Sequence, residues 1–343
     1  MTVTRLGVLA TVLVLSSAGC HRSPTSPSDT SGARLTIAGD RVVTLSTGDS
    51  IRLGVEERDG SGHLLSNGPQ VYSWASSQPS VADVSADGVL HTASGLGASR
   101  ITARAASGLS DSIDVWVQPP ASAPSTFHIT LVFAEGVPDS WRIALAAAAV
   151  RWESTIRAEL PAVAAVPAPR VCSPIQGEPS PTIEGLERGV RISVEMSSGF
   201  GPDSSDTEAV GGPCQQRSLP FPTTVYGRIT INRAITPERA GTPRGQYVAL
   251  HEMGHVLGLV GVVQGMTVPW YDPATHVYTG VMAREGYRRM SGGFPPSIAP
   301  VTSGHWPFPA DVMGSAPFIL AITPLSIGAL MDLGYPAAWY GGQ

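Results

Sequence analysis

Short runs in which apolar and polar residues alternate fill the N-terminal third of the chain. They include Ser50–Val55, Ser80–Val84, Ser99–Arg104 and Ser112–Val117, and Gly, Asp and Ser residues separate them. Alternation with a period of two gives a strand one apolar face, which must be buried against a core. Several such strands with turn residues between them are typical of a β-sandwich. We therefore predict an all-β domain over residues 33–118, with Trp74 in its core.

The pattern of the remaining chain predicts a mixture of strands and helices. A Pro, Ala and Ser-rich stretch at residues 119–126 predicts a linker. Apolar runs at Phe127–Phe133, Gly189–Glu195 and Tyr226–Asn232 predict strands, and the alanine-rich stretch Asp139–Leu160 predicts a long helix with Trp141 and Trp152 as packing anchors. We therefore expect a second domain, of the α+β class, over residues 127–343.

A further helix is predicted where the apolar segment Val248–Leu259 follows a favourable start signal. Thr242 can serve as N-cap, and Pro243 suits the first helical position. Gly258 suits the position just beyond the helix end, because glycine adopts positive φ at little cost.

This predicted helix contains residues with catalytic chemistry. His251 and His255 are four residues apart, so both imidazoles can reach one metal ion from the same face. Glu252 follows the first histidine, in the H-E-x-x-H pattern of zinc hydrolases, and can act as general base on a water molecule at the metal. The alternative is a core helix that contains two histidines by chance.

A zinc site of this kind needs a third protein ligand, because catalytic zinc usually has three and keeps a fourth position for water. Downstream of the helix the candidates are His276, His305 and, as a rival of another type, Glu285. From the residues alone these three alternatives stay open.

The segment Ser303–Ser315, with the sequence S-G-H-W-P-F-P-A-D-V-M-G-S, resembles the third-ligand and Met-turn region of leishmanolysin-type metzincin peptidases. In that family an insertion interrupts the usual metzincin spacing, and the distant histidine stands in a Ser-His-Trp-like context. Here Gly261 occupies the position of the usual third histidine, and His305 lies fifty positions after His255. The resemblance implies that His305 is the third ligand and that Met313 packs beneath the metal.

The resemblance extends to Ile322–Tyr335, which is similar to the family's C-terminal helix, with Thr323 and Pro324 at its start and Gly334 at its end. It implies a zincin fold, one catalytic Zn²⁺ and endopeptidase activity on protein or peptide substrates. It also implies that Tyr226–Asn232 is the cleft-edge strand that pairs with an extended substrate, and the alternative is an interior strand of the sheet.

The segment Val71–Val84, together with Gly88 and Gly95–Thr102, resembles a bacterial immunoglobulin-like (group 2) domain. Such modules act as spacers or adhesive units on cell-surface proteins. The resemblance therefore supplies a second hypothesis for the whole chain, a surface adhesin or binding protein in which a zincin scaffold is inactive.

The N-terminus has the features of an export signal. Arg5 precedes an apolar run, Leu6–Leu15, that is too short for a membrane span. Ser17–Cys20 resembles a bacterial lipobox, which predicts a lipoprotein signal peptide over residues 1–20, lipidation of Cys20 and a Ser/Pro-rich tether over residues 21–32. We expect an exported protein anchored by lipid to a bacterial membrane, with a secreted soluble form as the alternative.

Cysteine content and net charge complete the predictions. Cys172 and Cys214 remain after Cys20, and an exported chain with an even number of cysteines favours a disulfide between them. The N-terminal portion offers only Cys20, so we expect no cysteine that blocks the metal before activation.

The formal net charge is −5 and basic residues form no cluster, which gives no support to nucleic-acid binding. A monomer is the default expectation.

Overall fold

A computed structural model describes residues 32–65, 71–120, 124–164, 186–200, 207–218, 221–260, 270–272, 274–293, 295, 297–298, 304–314 and 319–339. The predicted signal peptide, Cys20, most of the tether and Cys172 lie outside the described residues. Within these ranges, no helix combines the length and the apolar character needed to cross a bilayer.

The first part of the described chain consists of strands that form two facing layers. The strands are β1 (Arg34–Ile37), β2 (Val42–Ser46), β3 (Ser50–Arg52), β4 (Val55–Arg58), β5 (Ser73–Ser76), β6 (Ala82–Val84), β7 (Val89–Thr92), β8 (Gly97–Arg104) and β9 (Ser110–Gln118). One sheet has the order β2-β9-β8-β5, a second has the order β3-β7-β6, and β1 pairs with β4. Only the β2–β9 pair of these sheets is parallel.

Both layers of this part contribute side chains to one core. Leu90 of β7 lies in the same buried cluster as Ile101 of β8 and Ile113 of β9, which confirms the coarse prediction of a β-sandwich. Trp74 is half-buried and packs at the margin of the cluster. We call this part the sandwich.

Among its described residues, the second part contains a four-stranded mixed sheet, four α-helices and one 3-10 helix. Its elements are β10 (Ile129–Phe133), α1 (Asp139–Thr155), β11 (Val163–Ala164), β12 (Leu186–Glu187), β13 (Val190–Ser197), β14 (Ala209–Gln216), β15 (Thr224–Asn232), a 3-10 helix (Pro237–Gly241), α2 (Pro243–Val256), β16 (Tyr271–Asp272), β17 (Val277–Tyr278), α3 (Val281–Ser291) and α4 (Pro324–Asp332). The sheet order is β10-β13-β15-β14, with β14 antiparallel to the parallel strands β10, β13 and β15. We call this part the mixed domain.

Strand β15 lies inside the sheet, so the interior alternative for Tyr226–Asn232 is correct and the cleft-edge alternative is wrong. All nine residues of β15 are buried, because β13 and β14 flank it and helices cover it. The edge strands are β10 and β14, and the sequence of β14, A-V-G-G-P-C-Q-Q, gave no strand signal. Glycine and proline disfavour strands in general, but an edge position tolerates a residue that cannot donate to the ladder.

Helix α1 packs against the sheet and against α2 through its two tryptophans. Trp141 and Trp152 are buried, as predicted, and the Trp152 indole N–H donates to the Leu250 carbonyl at 3.0 Å. The helix ends at Thr155, before the predicted end at Leu160. Ile156 turns extended and forms an isolated β-bridge with Ala337, so a long-range contact ends the helix where local propensity would continue it.

Helices α3 and α4 approach closely because glycines face the contact. A Cβ on Gly328 would lie 2.1 Å from the Met282 carbonyl oxygen, and a Cβ on Gly286 would lie 2.0 Å from the Pro324 carbonyl oxygen. The predicted C-terminal helix is present as α4. Its N-cap is Thr323, and Gly334 follows its end with φ 92°.

Candidate metal centre

The helix α2 begins and ends as its sequence predicts. The Thr242 hydroxyl accepts a hydrogen bond from the Gly245 N–H at 3.2 Å, and Pro243 occupies the first helical position. Gly258 follows the helix with φ 96°. These signals set the helix frame that places His251 and His255 on one face.

Three imidazoles meet at the side of α2. The Nε2 atom of His251 lies 3.1 Å from Nε2 of His255 and 3.1 Å from Nε2 of His305. The candidate ligand atoms of the three rings all lie within 4.8 Å of one another. The fold therefore brings His305 next to the H-E-x-x-H helix from a distant position in the chain.

Hydrogen bonds at the far side of two rings decide which nitrogens face the centre as acceptors. Nδ1 of His251 lies 2.7 Å from the Val312 carbonyl oxygen, and Nδ1 of His255 lies 3.1 Å from the Leu259 carbonyl oxygen. A carbonyl oxygen only accepts, so each Nδ1 carries the proton and each neutral Nε2 presents a lone pair. This is the arrangement that metal-binding histidines use.

The spacing and protonation of the rings fit a zinc ion. Two Nε2 lone pairs that face each other at 3.1 Å repel unless a cation lies between them, and two nitrogens on tetrahedral zinc are about 3.3 Å apart. Burial lowers the pKa of His251 to about 4 and the pKa of His255 well below its ordinary value. Both rings are therefore neutral near pH 7, as metal binding requires.

Glu252 lies between the helix and the edge strand. Its Oε2 accepts a hydrogen bond from the Gly211 N–H at 2.6 Å. Burial raises the pKa of Glu252 to about 8, and the Gly211 hydrogen bond partly opposes that shift. A cation held by the neighbouring imidazoles would lower this pKa again, since an opposite charge favours the carboxylate. Gly211 is required here, because a Cβ would lie 2.3 Å from the Glu252 carbonyl oxygen.

Met313 packs directly against the helix turn that carries the histidines. It is fully buried, and its Sδ lies 2.3 Å from the place where a Cβ on Gly254 would stand. The backbone N–H of Trp306 donates to the Met313 carbonyl at 2.8 Å. This bond joins the chain beside His305 to the turn that contains Met313. Met313 therefore packs against the turn of α2 that contains Gly254, and the position beneath a metal that the resemblance implies stays a prediction.

The other candidate ligands lie in different surroundings. Nδ1 of His276 contacts the Tyr271 hydroxyl at 2.6 Å on an exposed hairpin. Glu285 is buried on α3, where Arg288 and Arg289 bind it at 2.6 Å and 3.0 Å. Neither residue belongs to the imidazole cluster.

Two residues near the centre had no role in the sequence-based predictions: Tyr247, which contacts His251, and Asp311, which precedes the Val312 carbonyl that His251 contacts. The Tyr247 hydroxyl lies 3.2 Å from Nδ1 of His251 and 3.3 Å from the Gly314 carbonyl oxygen. The four-residue spacing from Tyr247 to His251 was the available signal. Asp311 is buried and accepts hydrogen bonds from the Met313 N–H at 2.7 Å and from the Ser326 hydroxyl at 2.7 Å. Nothing in the local pattern marks Asp311, because its side-chain partner Ser326 lies in α4, fifteen residues further along the chain.

Cys214 is buried at the edge strand and is disulfide-bonded. The other two cysteines, Cys20 and Cys172, lie outside the described residues. The pairing of Cys214 with Cys172 stays a prediction.

Comparisons with known proteins find no family. No family model matches the chain, and the search of curated proteins finds no match. Among solved structures, a mutant of EHEC O157:H7 intimin is 21% identical with a TM-score of 0.18, over 26% of this chain and 46% of that chain. A 282-residue C-terminal intimin fragment in complex with the intimin-binding domain of its translocated receptor is 15% identical with a TM-score of 0.17, over 35% and 36% of the two chains.

A bacterial Ig-like domain-containing GH10 xylanase from termite gut is 21% identical with a TM-score of 0.17, over 29% of this chain and 26% of that chain. The chain spans less than half the length of each of these three proteins. The neighbours are intimin-type and bacterial Ig-like proteins, and similarity at these TM-scores carries no inference. The resemblance to metzincin peptidases therefore rests on the sequence motifs alone.

Proposed function

We propose that the chain is a zinc-dependent endopeptidase with a zincin-type catalytic domain. In this proposal His251, His255 and His305 hold one Zn²⁺ and Glu252 is the general base. The observation that supports it is the approach of three Nε2 atoms to a common point, with protons fixed on the far side of two rings.

The residues of the chain would divide the chemistry as follows. A zinc ion in this site would polarise a peptide carbonyl and make a water molecule acidic near neutral pH. Glu252 would accept a proton from that water and donate it to the leaving amine. The Gly211 N–H, which donates to Oε2 of Glu252, would hold the carboxylate in one orientation during both transfers.

The substrate would bind in extended form along β14. Among the described strands, β14 is the edge of the sheet nearest to α2, and Gly211 in its middle touches the general base. A peptide that adds to a sheet edge gains backbone hydrogen bonds without a demand on its sequence. A peptide bond placed beside Gly211 would then face Glu252.

For location, we propose export with a lipid anchor at Cys20, and secretion as the alternative. Protein or peptide substrates would be the partners, and the enzyme would act as a monomer. These statements rest on the sequence signals at residues 1–32 and on the peptidase proposal.

A second candidate function is a surface adhesin or binding protein with an inactive scaffold. The intimin-type neighbours fit this candidate better than they fit a peptidase, but their TM-scores do not decide between the two. The meeting of three imidazoles at α2 and the buried Glu252 on the same helix support hydrolysis, and for that reason we favour the enzyme.

Cleavage of an unfolded protein by the purified chain separates the two candidates. We expect cleavage that a strong chelator abolishes and that one equivalent of zinc restores. A zinc-loaded, folded chain that cleaves no unfolded protein would contradict the peptidase proposal. Binding to a cell surface without cleavage would then support the adhesin.

A further inference from the structure

The sandwich and the mixed domain share one apolar core. Val42 of β2 and Trp116 of β9 belong to the same buried cluster as the side chains of α1, α2 and α4. Trp116 is only 1% exposed, and its indole N–H donates to the Ala337 carbonyl at 3.2 Å. A buried tryptophan removes about 150–250 Å² of surface from water, so this contact alone is a substantial part of an interface.

Polar contacts surround this apolar centre. The Arg289 guanidinium stacks over the Trp339 ring at 4.1 Å, and its Nη2 lies 3.5 Å from the Thr44 hydroxyl of the sandwich. Arg288 lies 3.9 Å from Asp40 of the sandwich. An apolar centre with a polar rim is the organisation of a specific protein interface.

The chain segment beneath Trp116 is connected to the metal-binding helix. Ala337, which accepts from Trp116, follows Tyr335, whose hydroxyl accepts a hydrogen bond from the Thr224 N–H at 2.9 Å. The Thr224 hydroxyl donates in turn to the Val256 carbonyl at 2.7 Å, at the last residue of α2. The contacts from the sandwich to the end of α2 are thus continuous.

We propose that the sandwich is a fixed intramolecular partner of the mixed domain, docked through Trp116 on the segment 335–339. A spacer at the end of a linker would leave Trp116 solvated, whereas here it is buried against a different domain. The two parts are joined by a short stretch of chain, which raises their effective concentration to the millimolar range and favours the docked state beyond what the interface alone provides. The docked sandwich also supports the segment that holds the end of α2.

A cut in the linker of the full chain tests this docking without reference to any enzymatic activity. A specific protease site placed at residues 121–123 allows the folded protein to be cleaved between its two parts. We expect the two halves to elute together in gel filtration at micromolar concentration. Halves of the parent chain that elute separately would overturn the proposal.

Variants at the interface sharpen the same test. Trp116→Phe removes the indole N–H, and Arg289→Ala removes the contacts to Trp339 and Thr44 together with the ion pair to Glu285. The double variant should weaken the association of the cut halves by about tenfold or more. Trp74→Phe, at the margin of the sandwich core and away from the interface, is the matched control and should leave the association unchanged. A double variant whose halves associate as tightly as those of the parent would also overturn the proposal.

Calorimetry of the uncut chain gives an independent readout. The parent should unfold in a single transition, because a docked sandwich unfolds together with the mixed domain. Two independent transitions in the parent would count against docking even if the variants failed to fold.

Discussion

Glu252 and Glu285 are both buried carboxylates on helices, yet their surroundings differ completely. Glu252 on α2 receives one backbone N–H and directly follows His251 of the imidazole cluster in the chain. Glu285 on α3 receives two guanidinium groups. A carboxylate enclosed by two arginines has its charge compensated by the protein itself, which suits a structural role. A buried carboxylate without such a partner has a raised pKa, and it is suited to exchange protons or to lie beside a metal ion.

The comparison also shows why residue type alone could not choose the third ligand. Glu285 follows α2 in the chain, as a glutamate ligand of a zincin would, but it is bound by Arg288 and Arg289. His305 is nearer to the C-terminus and still reaches His251 at 3.1 Å. The partners of each side chain, which are long-range contacts, separate the two candidates.

The largest expected effect comes from neutralising each carboxylate in turn. Glu252→Gln should lower kcat/KM for an unfolded substrate by about 10²–10⁴-fold and retain zinc, because only the proton-transfer group is lost. Glu285→Gln should keep activity close to that of the parent and lower the melting temperature, because two arginines lose their partner. Peptidase assays, zinc analysis and thermal unfolding measure these effects. An active Glu252→Gln variant, or a folded Glu285→Gln variant without activity, would reverse the assignment of roles.

The next largest effect concerns zinc affinity, which depends on the three imidazoles of the cluster. His305→Ala should lose zinc affinity by more than about 100-fold, since removal of a ligand exceeds the loss expected for an outer-shell partner. His276→Ala is the matched control and should bind zinc as the parent does. Competition with a chromophoric chelator measures both affinities. The opposite pattern would make His276 the ligand.

The smallest expected effect tests whether burial raises the pKa of a carboxyl group in this fold. Asp332 accepts hydrogen bonds from the Met282 and Ala283 N–H groups at 2.9 Å, and burial raises its pKa to about 7. A carboxylate with a raised pKa binds its proton more tightly in the folded state than in the unfolded state. Its contribution to stability is therefore present below about pH 4 and is lost as the pH rises through 7.

Urea unfolding between pH 4 and pH 8 measures this contribution. The free energy of unfolding of the parent should fall over that range by on the order of a few kcal/mol more than that of Asp332→Asn. If the free energy of unfolding changed with pH equally in the parent and the variant, Asp332 would have the same pKa in the folded and unfolded states. That result would contradict the claim that burial raises its pKa.

The parts of the molecule that were predicted from sequence depend on local patterns. Alternation predicted the sandwich strands, and Thr242, Pro243 and Gly258 predicted the ends of α2. Each of these signals acts within a few residues, so the local sequence is sufficient to predict the strands and the helix ends. The position of His305 came from a different source, the resemblance of its segment to a known motif.

The parts that were missed depend on partners that are distant in sequence. Strand β14 has a poor strand sequence and exists because β15 offers it a pairing edge. Asp311 gains its role from Ser326 of α4, and α1 ends early because Ile156 pairs with Ala337. The burial of Trp116 against Ala337 was missed for the same reason. Alternation predicts that one face of a strand is buried, but it does not identify the residues that cover that face.

The most direct test of the account is the coordination of the metal in the purified full chain. X-ray absorption at the zinc edge, combined with metal analysis, should show one zinc ion per chain with three imidazole nitrogens at about 2.0–2.1 Å. A chain that takes up no zinc would contradict the account. So would a zinc ion whose coordination is unchanged by His305→Ala.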